Sequence, residues 1–356
     1  MRQLSQFCLV LLTLAMVTGC TSLRYYSQAI SGQFTLMLSG QPIDELLEDP
    51  NLDPTLRERL TTAAEARIFA REQLALPVED SYQEYIELDR PYVVVNLVAV
   101  PEFSLTPHQW CYPVIGCQSY RGYFDPADAR LEQAKFDDSN YDTLLGGVTA
   151  YSTLGWFDDP LHSGFTTLPT DRMVALLFHE LSHRVVYVAG DTAFNESFAT
   201  AVELEGLRLW LTRRGEQAAF ERALVRLRHR DQTLALVNGA SEALEELYGN
   251  AHQRPPEEVR SAKQAILQRL REDYLELSAD WPEPGPLGRD PAPLNNAHLA
   301  LFRQYHQFVP AFRQMLAELN YDFPAFYRAV TELSQQPPEV RDQRLAALTE
   351  RFDEHL

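Results

Sequence analysis

A chain of 356 residues, 45% hydrophobic and 23% charged, has ample apolar material for a core, in one large domain or two closely packed lobes. Its 50 acidic residues against 31 basic ones leave a formal net charge of −19, which excludes the electrostatic footprint of a nucleic-acid binder. Cysteines number only four, so each is weighed by position.

Residues 1–19 carry one positive side chain, Arg2, ahead of an apolar run at 7–17 that is too short to span a bilayer and reads as a signal peptide. The run ends in Val17-Thr18-Gly19-Cys20. Small residues before a cysteine resemble a bacterial lipobox, which implies cleavage before Cys20 and lipidation of that residue. Thr21 is not the aspartate associated with inner-membrane retention, so the expected place is the periplasmic side of the outer membrane, held by the lipid. An ordinary secretory signal with an incidental cysteine is the alternative, and by either route the chain leaves the cytoplasm. Residues 20–40 then read as a lipidated tether and a first helix, with the main domain over 41–356.

From 42 to 76 the apolar residues fall at helical spacing, interrupted by Pro50 and Pro54. A β-branched run at 92–100 reads as a buried strand. Cys8 goes with the signal and Cys20 with the lipid, which leaves Cys111 and Cys117. Six apart in an oxidising compartment, these two most simply form a disulfide; a thiol-based zinc site would need further partners, and only His108 is near. Residues 126–135 read as a helix and 144–156 as one or two strands.

An apolar helical run at about 173–188 contains His179-Glu180-Leu181-Ser182-His183, with Gly190 as its stop. Residues four apart on a helix leave the same face, so His179 and His183 can close on one tetrahedral Zn²⁺. Glu180 lies about 100° round the helix, placed to take a proton without being a ligand. In the next segment Glu196 and Glu203 are seven apart, two turns, with Ala199 and Thr200 between them on that face. Carboxylates projecting from a small uncharged surface need a partner, and a metal ion supplies one. A pair of solvated glutamates is the bland alternative, disfavoured by Phe194, Phe198, Ala201 and Val202 around the rest of the helix.

Beyond Glu203 the pattern is helical at 204–214, 216–228, 232–248 and 256–277. A proline-rich stretch at 281–293 reads as a loop, either a lid near the site or a strap on the surface. Helical spacing resumes at 295–308, 312–319 and 323–356. The expected fold class is α+β, mainly α-helical, with a small sheet beside the zinc helix.

His179-Glu180-Leu181-Ser182-His183 followed by Asn195-Glu196-Ser197-Phe198-Ala199 resembles the HExxH and NExFA pair of gluzincin metallopeptidases. With the blocks WCYPVIGC (110–117), YRGYF (120–124) and GGVTAYSTLGWF (146–157), the chain as a whole is similar to zinc aminopeptidase lipoproteins of Gram-negative bacteria. The insert between His183 and Glu196 is shorter than in better-known gluzincins. The resemblance implies one zinc ion held by His179, His183 and Glu196, with Glu203 orienting a ligand imidazole and Glu180 as general base. It implies a gluzincin-like fold over 41–356, an edge strand near 146–150 that takes peptide, for which an ordinary sheet strand is the alternative, and removal of N-terminal residues from peptides. For the oxyanion donor it points to Tyr305, with Tyr151 second; a packed core tyrosine is the alternative role for each. The strand lacks the glutamate that aminopeptidase N-type enzymes use to hold the substrate amine, for which Asp158 or Asp159 is the substitute, unless both only turn the chain before Pro160. Two alternatives stay open: a zinc endopeptidase, and a non-catalytic envelope interaction protein retaining zinc.

Overall fold

The computed structural model describes residues 24–112, 116–137, 140–148, 158–303 and 308–352. Helix α1 is described over 24–38, and the short strand β1 (Gln41–Pro42) leads into α2 (Ile43–Glu48) and α3 (Pro54–Gln73). Pro54 fits the first turn of α3, where no N–H partner is needed, and the Asp53 side chain accepts from the N–H groups of Thr55 and Leu56, both at 3.0 Å. The two prolines therefore break the helical pattern where the sequence indicates.

Three small sheets form among the described residues. β2 (Glu84–Ile86) pairs antiparallel with β1 and parallel with β8 (Leu161–His162). β3 (Val94–Pro101) lies between β6 (Arg121–Tyr123) and β7 (Tyr141–Val148), antiparallel to both. β4 (Trp110–Tyr112) and β5 (Gly116–Gln118) make a hairpin in which Cys111 and Cys117 stand directly opposite and form a disulfide. His108 takes no part in a thiol site; its ring packs edge-on against Trp110 with centres 4.7 Å apart.

The period of two along β3 divides the molecule. Val95, Leu97 and Ala99 pack in one cluster with Tyr123 and with Ala129 of α4 (Pro126–Asp137), whereas Val94, Asn96 and Val98 line a large cleft. Sheet order makes β7 an edge strand among the described residues, and Leu144, Gly146, Gly147 and Val148 line the same cleft. The segment 149–157 lies outside the described residues.

The short helix α5 (Ser163–Thr166) precedes α6 (Thr170–Ser182) and α7 (Thr192–Arg214), which pack together over the main core. Phe178, Phe194 and Phe198 are fully buried there, each contributing about 1.5–3 kcal/mol by leaving water. Gly206 permits the close approach of α7, since a Cβ at that position would lie 2.7 Å from Leu74 and 2.9 Å from Phe178. The helix bearing the HExxH motif ends earlier than its apolar run suggests. Leu181 and Ser182 carbonyls accept from the N–H groups of Arg184 and Val185 in a tightened last turn, and the valine-rich stretch 185–188 leaves the helix. Gly190, at φ +79, is thus a turn residue before the Asp191 cap of α7, not the stop of α6.

The stretch read as two helices, 216–228 and 232–248, is the single 33-residue helix α8 (Gln217–Gly249), which pairs with α9 (Pro256–Ser278). Residues 279–295 have no helix or strand and carry Leu287 and Leu294 into the α8/α9 cluster. α10 (Asn296–Arg303), α11 (Val309–Glu318), α12 (Phe323–Ser334) and α13 (Pro338–Thr349) complete the chain. The 323–356 stretch divides because Pro337 and Pro338 cannot continue α12. The fold is α+β and mainly helical with small sheets.

Candidate metal and catalytic site

His179 and Glu180 come from the last turn of α6, and His183 is its cap residue, still near helical geometry at φ −61, ψ −18. The two imidazoles therefore stay on one face, ring centres 5.0 Å apart. α7 faces them with Glu196 and Glu203. His179 Nε2 lies 3.2 Å from Glu196 Oε2 and His179 Nδ1 3.1 Å from Glu203 Oε2, so the two carboxylates address opposite edges of one ring. Glu196 reaches the second histidine with its other oxygen, Oε1 being 3.9 Å from His183 Nε2.

One ligand atom each from His179, His183 and Glu196 lie within 4.8 Å of one another. Charge and burial suit a cation there. Burial pushes the His183 imidazole down to about 4, which keeps it neutral with a lone pair to give, and its Nδ1 is buried with no hydrogen-bond partner. Burial opposes ionisation of Glu196, but the hydrogen bond from His179 and the electrostatic pull of the two neighbouring imidazoles override it and hold the carboxyl below the usual range. For His179, too, burial acts against the charge, and the hydrogen bonds to Glu196 and Glu203 reverse it, raising that imidazole well above its ordinary value. Two imidazoles and one carboxylate, with room for a further group, are a donor set suited to zinc.

Glu180 is buried, only 8% exposed, and borders the cleft. Burial is the main reason its carboxyl rises to about 7, with His179 opposing and the charges of Glu196, Asp159 and Glu203 adding to the rise. A carboxyl so tuned can accept a proton near neutral pH and return it.

Three structural roles were not legible in the motifs, although Asn195 itself belongs to one of them. Asn195 ties the connection between the site helices, accepting from the Val188 N–H and donating to the Val188 carbonyl, both at 2.8 Å. Asp191 caps α7 and is gripped by Arg341 of α13 at 2.5 Å. Arg226 and Arg230 of α8 border the cleft, and their charges help keep Glu203 ionised after burial and the His179 contact are counted. Their spacing of four on one helix was the available signal; that α8 lies over α7 was not.

The cleft, about 1520 Å³, runs from the α6/α7 site between α8 and the β3/β7 sheet, walled elsewhere by α1, by 286–294 and by α10. The proline-rich segment is therefore part of the cleft wall. Glu180, Glu196 and Glu203 are the acidic residues among its described lining. Asp158 is exposed and Asp159 is buried, close enough to influence Glu180, but neither lines the cleft. Cys20, Tyr151 and Tyr305 lie outside the described residues.

A family model with the description "Putative aminopeptidase" matches residues 24–345. No curated protein and no solved structure matches the chain.

Proposed function

The chain belongs to the putative aminopeptidase family, and from that premise we propose that it is a zinc-dependent peptidase that removes N-terminal residues from peptides. The observation that carries the metal reading is the convergence of His179, His183 and Glu196 within 4.8 Å, beside a buried carboxyl that is not one of the three.

His179, His183 and Glu196 would hold the ion. Zinc bound there supplies Lewis acidity, polarising the scissile carbonyl and acidifying water. Glu203, on the far edge of the His179 ring, fixes its orientation and its tautomer. Glu180 takes the proton of the attacking water and passes it to the leaving amine. The β7 edge, with small residues at Gly146 and Gly147, offers backbone groups to an extended peptide lying in the cleft. Tyr305 remains our first candidate for the oxyanion donor and Tyr151 the second. By the lipobox resemblance the enzyme is held at the periplasmic face of the outer membrane by lipid on Cys20.

A panel of aminoacyl fluorogenic substrates tests this reading. Turnover that a chelator abolishes and added zinc restores is expected; no turnover of any member, or turnover indifferent to chelation, would contradict it. One observation favours a second reading, cleavage within peptides. The three acidic residues of the described cleft lining are already given roles, Glu196 as ligand, Glu203 beside His179 and Glu180 in proton transfer, leaving no carboxylate in that lining for a substrate ammonium. Cleavage of internally quenched peptides with blocked N-termini would select that reading.

A further inference from the structure

Helix α1 presents an apolar surface that, apart from Ile30 at its edge, lies outside the cleft. Between Arg24 and Asp44 the chain has no charged residue, although 23% of the whole sequence is charged. One side of the helix is docked. Gly32 lies so close to the Phe124 ring that a Cβ would not fit, the Phe124 N–H donates to Gln28 Oε1 at 3.0 Å, and Tyr25 meets Tyr123 edge-on with centres 5.5 Å apart. The opposite side leaves Tyr26, Ile30, Phe34 and Leu38 in the open at 41%, 56%, 55% and 84% exposure. Steps of four residues turn about 40° each, so these side chains cover an arc roughly 120° wide along about 18 Å of helix. Apolar surface of this extent, unrelieved by charge, gains by leaving water.

We propose that α1 is an interfacial helix, lying on the surface of a lipid bilayer through Tyr26, Ile30, Phe34 and Leu38. The choice of a bilayer rests on the lipid anchor proposed above, whereas the apolar arc stands without it. The described part of α1 starts four residues after Cys20, a separation of at most roughly 14 Å, so a lipid on Cys20 brings the arc to the membrane surface. Apolar burial is also the one attraction open to it. With a net charge of −19 and no basic residue between Arg24 and Asp44, the chain cannot rely on anionic headgroups. No described helix is long and apolar enough to cross a membrane, which fits a helix lying on the surface. Since α1 also walls the cleft, through Tyr25, Ala29, Gln33 and, from the edge of the arc, Ile30, seating the helix would hold the cleft beside the bilayer.

The test uses the chain from Thr21 onward, which keeps every described element and cannot be lipidated. With neutral phosphatidylcholine vesicles at millimolar lipid it should cosediment reversibly. Phe34→Asp combined with Leu38→Asp should weaken that partition at least tenfold while leaving peptide turnover unchanged. Absence of binding, or equal binding by the double variant, would overturn the proposal. So would a lipid-free dimer abolished by the same substitutions, which would assign the arc to a second copy. The anchor is tested separately in cells: Cys20→Ala retained with membranes as firmly as the parent would refute the anchor without altering the vesicle result.

Discussion

At the scale of single residues, His179 distinguishes two carboxylates that helical spacing makes equivalent. Glu196 and Glu203 leave the same face of α7, yet one meets the imidazole at Nε2 and the other at Nδ1. Only Glu196 also reaches toward His183. Glu196→Ala should therefore lose most of its zinc, whereas Glu203→Ala should bind roughly 10 to 100-fold more weakly because the ring loses its orienting partner. Metal analysis of the two purified variants checks the ranking, and zinc lost outright from Glu203→Ala but kept by Glu196→Ala would require another ligand set. The His and Glu spacings that build this cluster are readable because each pair belongs to a single helix and obeys its period. The assignment of each carboxylate to a ring nitrogen is not, since it depends on how α6 and α7 are set against each other.

Among the elements, the connection between α6 and α7 carries the relation between those helices. Its shortness is compensated by Asn195, whose amide closes two hydrogen bonds on Val188. Replacing it with Ala leaves the part-buried Val188 N–H without its partner and the Val188 carbonyl with the Asp191 N–H alone, which should cost about 1–3 kcal/mol in urea denaturation and weaken zinc binding as well. A second prediction concerns the start of α5. His162 is 2% exposed, its Nδ1 accepts from the Gly164 N–H and its Nε2 has no partner; burial lowers its pKa from 6.5 to about 4. The unfolded chain takes up a proton below pH 6.5 that the folded chain refuses until about pH 4, so stability present above 6.5 is lost progressively as pH falls through that window. At pH 5 the loss from this group is about 2 kcal/mol, and His162→Asn, which can still cap α5, should show a correspondingly smaller pH dependence of unfolding.

Local chemistry was legible at Pro54, in the pairing of Cys111 with Cys117 and in the β-branched run that forms β3, whereas the strands β4 and β5 carrying the cysteines were not. Element boundaries were not legible where packing decides. His229-Arg230-Asp231 reads as a break, yet α8 runs through it, carried by its contacts with α7, α9 and α10. The apolar run at 173–188 reads as one helix, yet it divides at His183, because Asn195 holds the chain at Val188 in a turn.

For the whole molecule, the mainly helical α+β class follows from the long helical stretches and few strand-like runs. The cleft does not, since its walls come from α1, the β3/β7 sheet, α6, α7, α8, the segment 286–294 and α10, segments far apart in sequence. This juxtaposition turns a local motif into a cavity large enough for peptide and puts Arg226 and Arg230 within electrostatic reach of Glu203. The division of labour within the cavity is the central claim: three side chains hold the metal and a fourth, Glu180, moves the proton. Its most direct test is one measurement on Glu180→Gln, zinc content and peptide turnover determined on the same purified sample. The account predicts zinc at the parent's stoichiometry with turnover reduced by several orders of magnitude. Loss of the zinc, or retention of parental turnover, would contradict it.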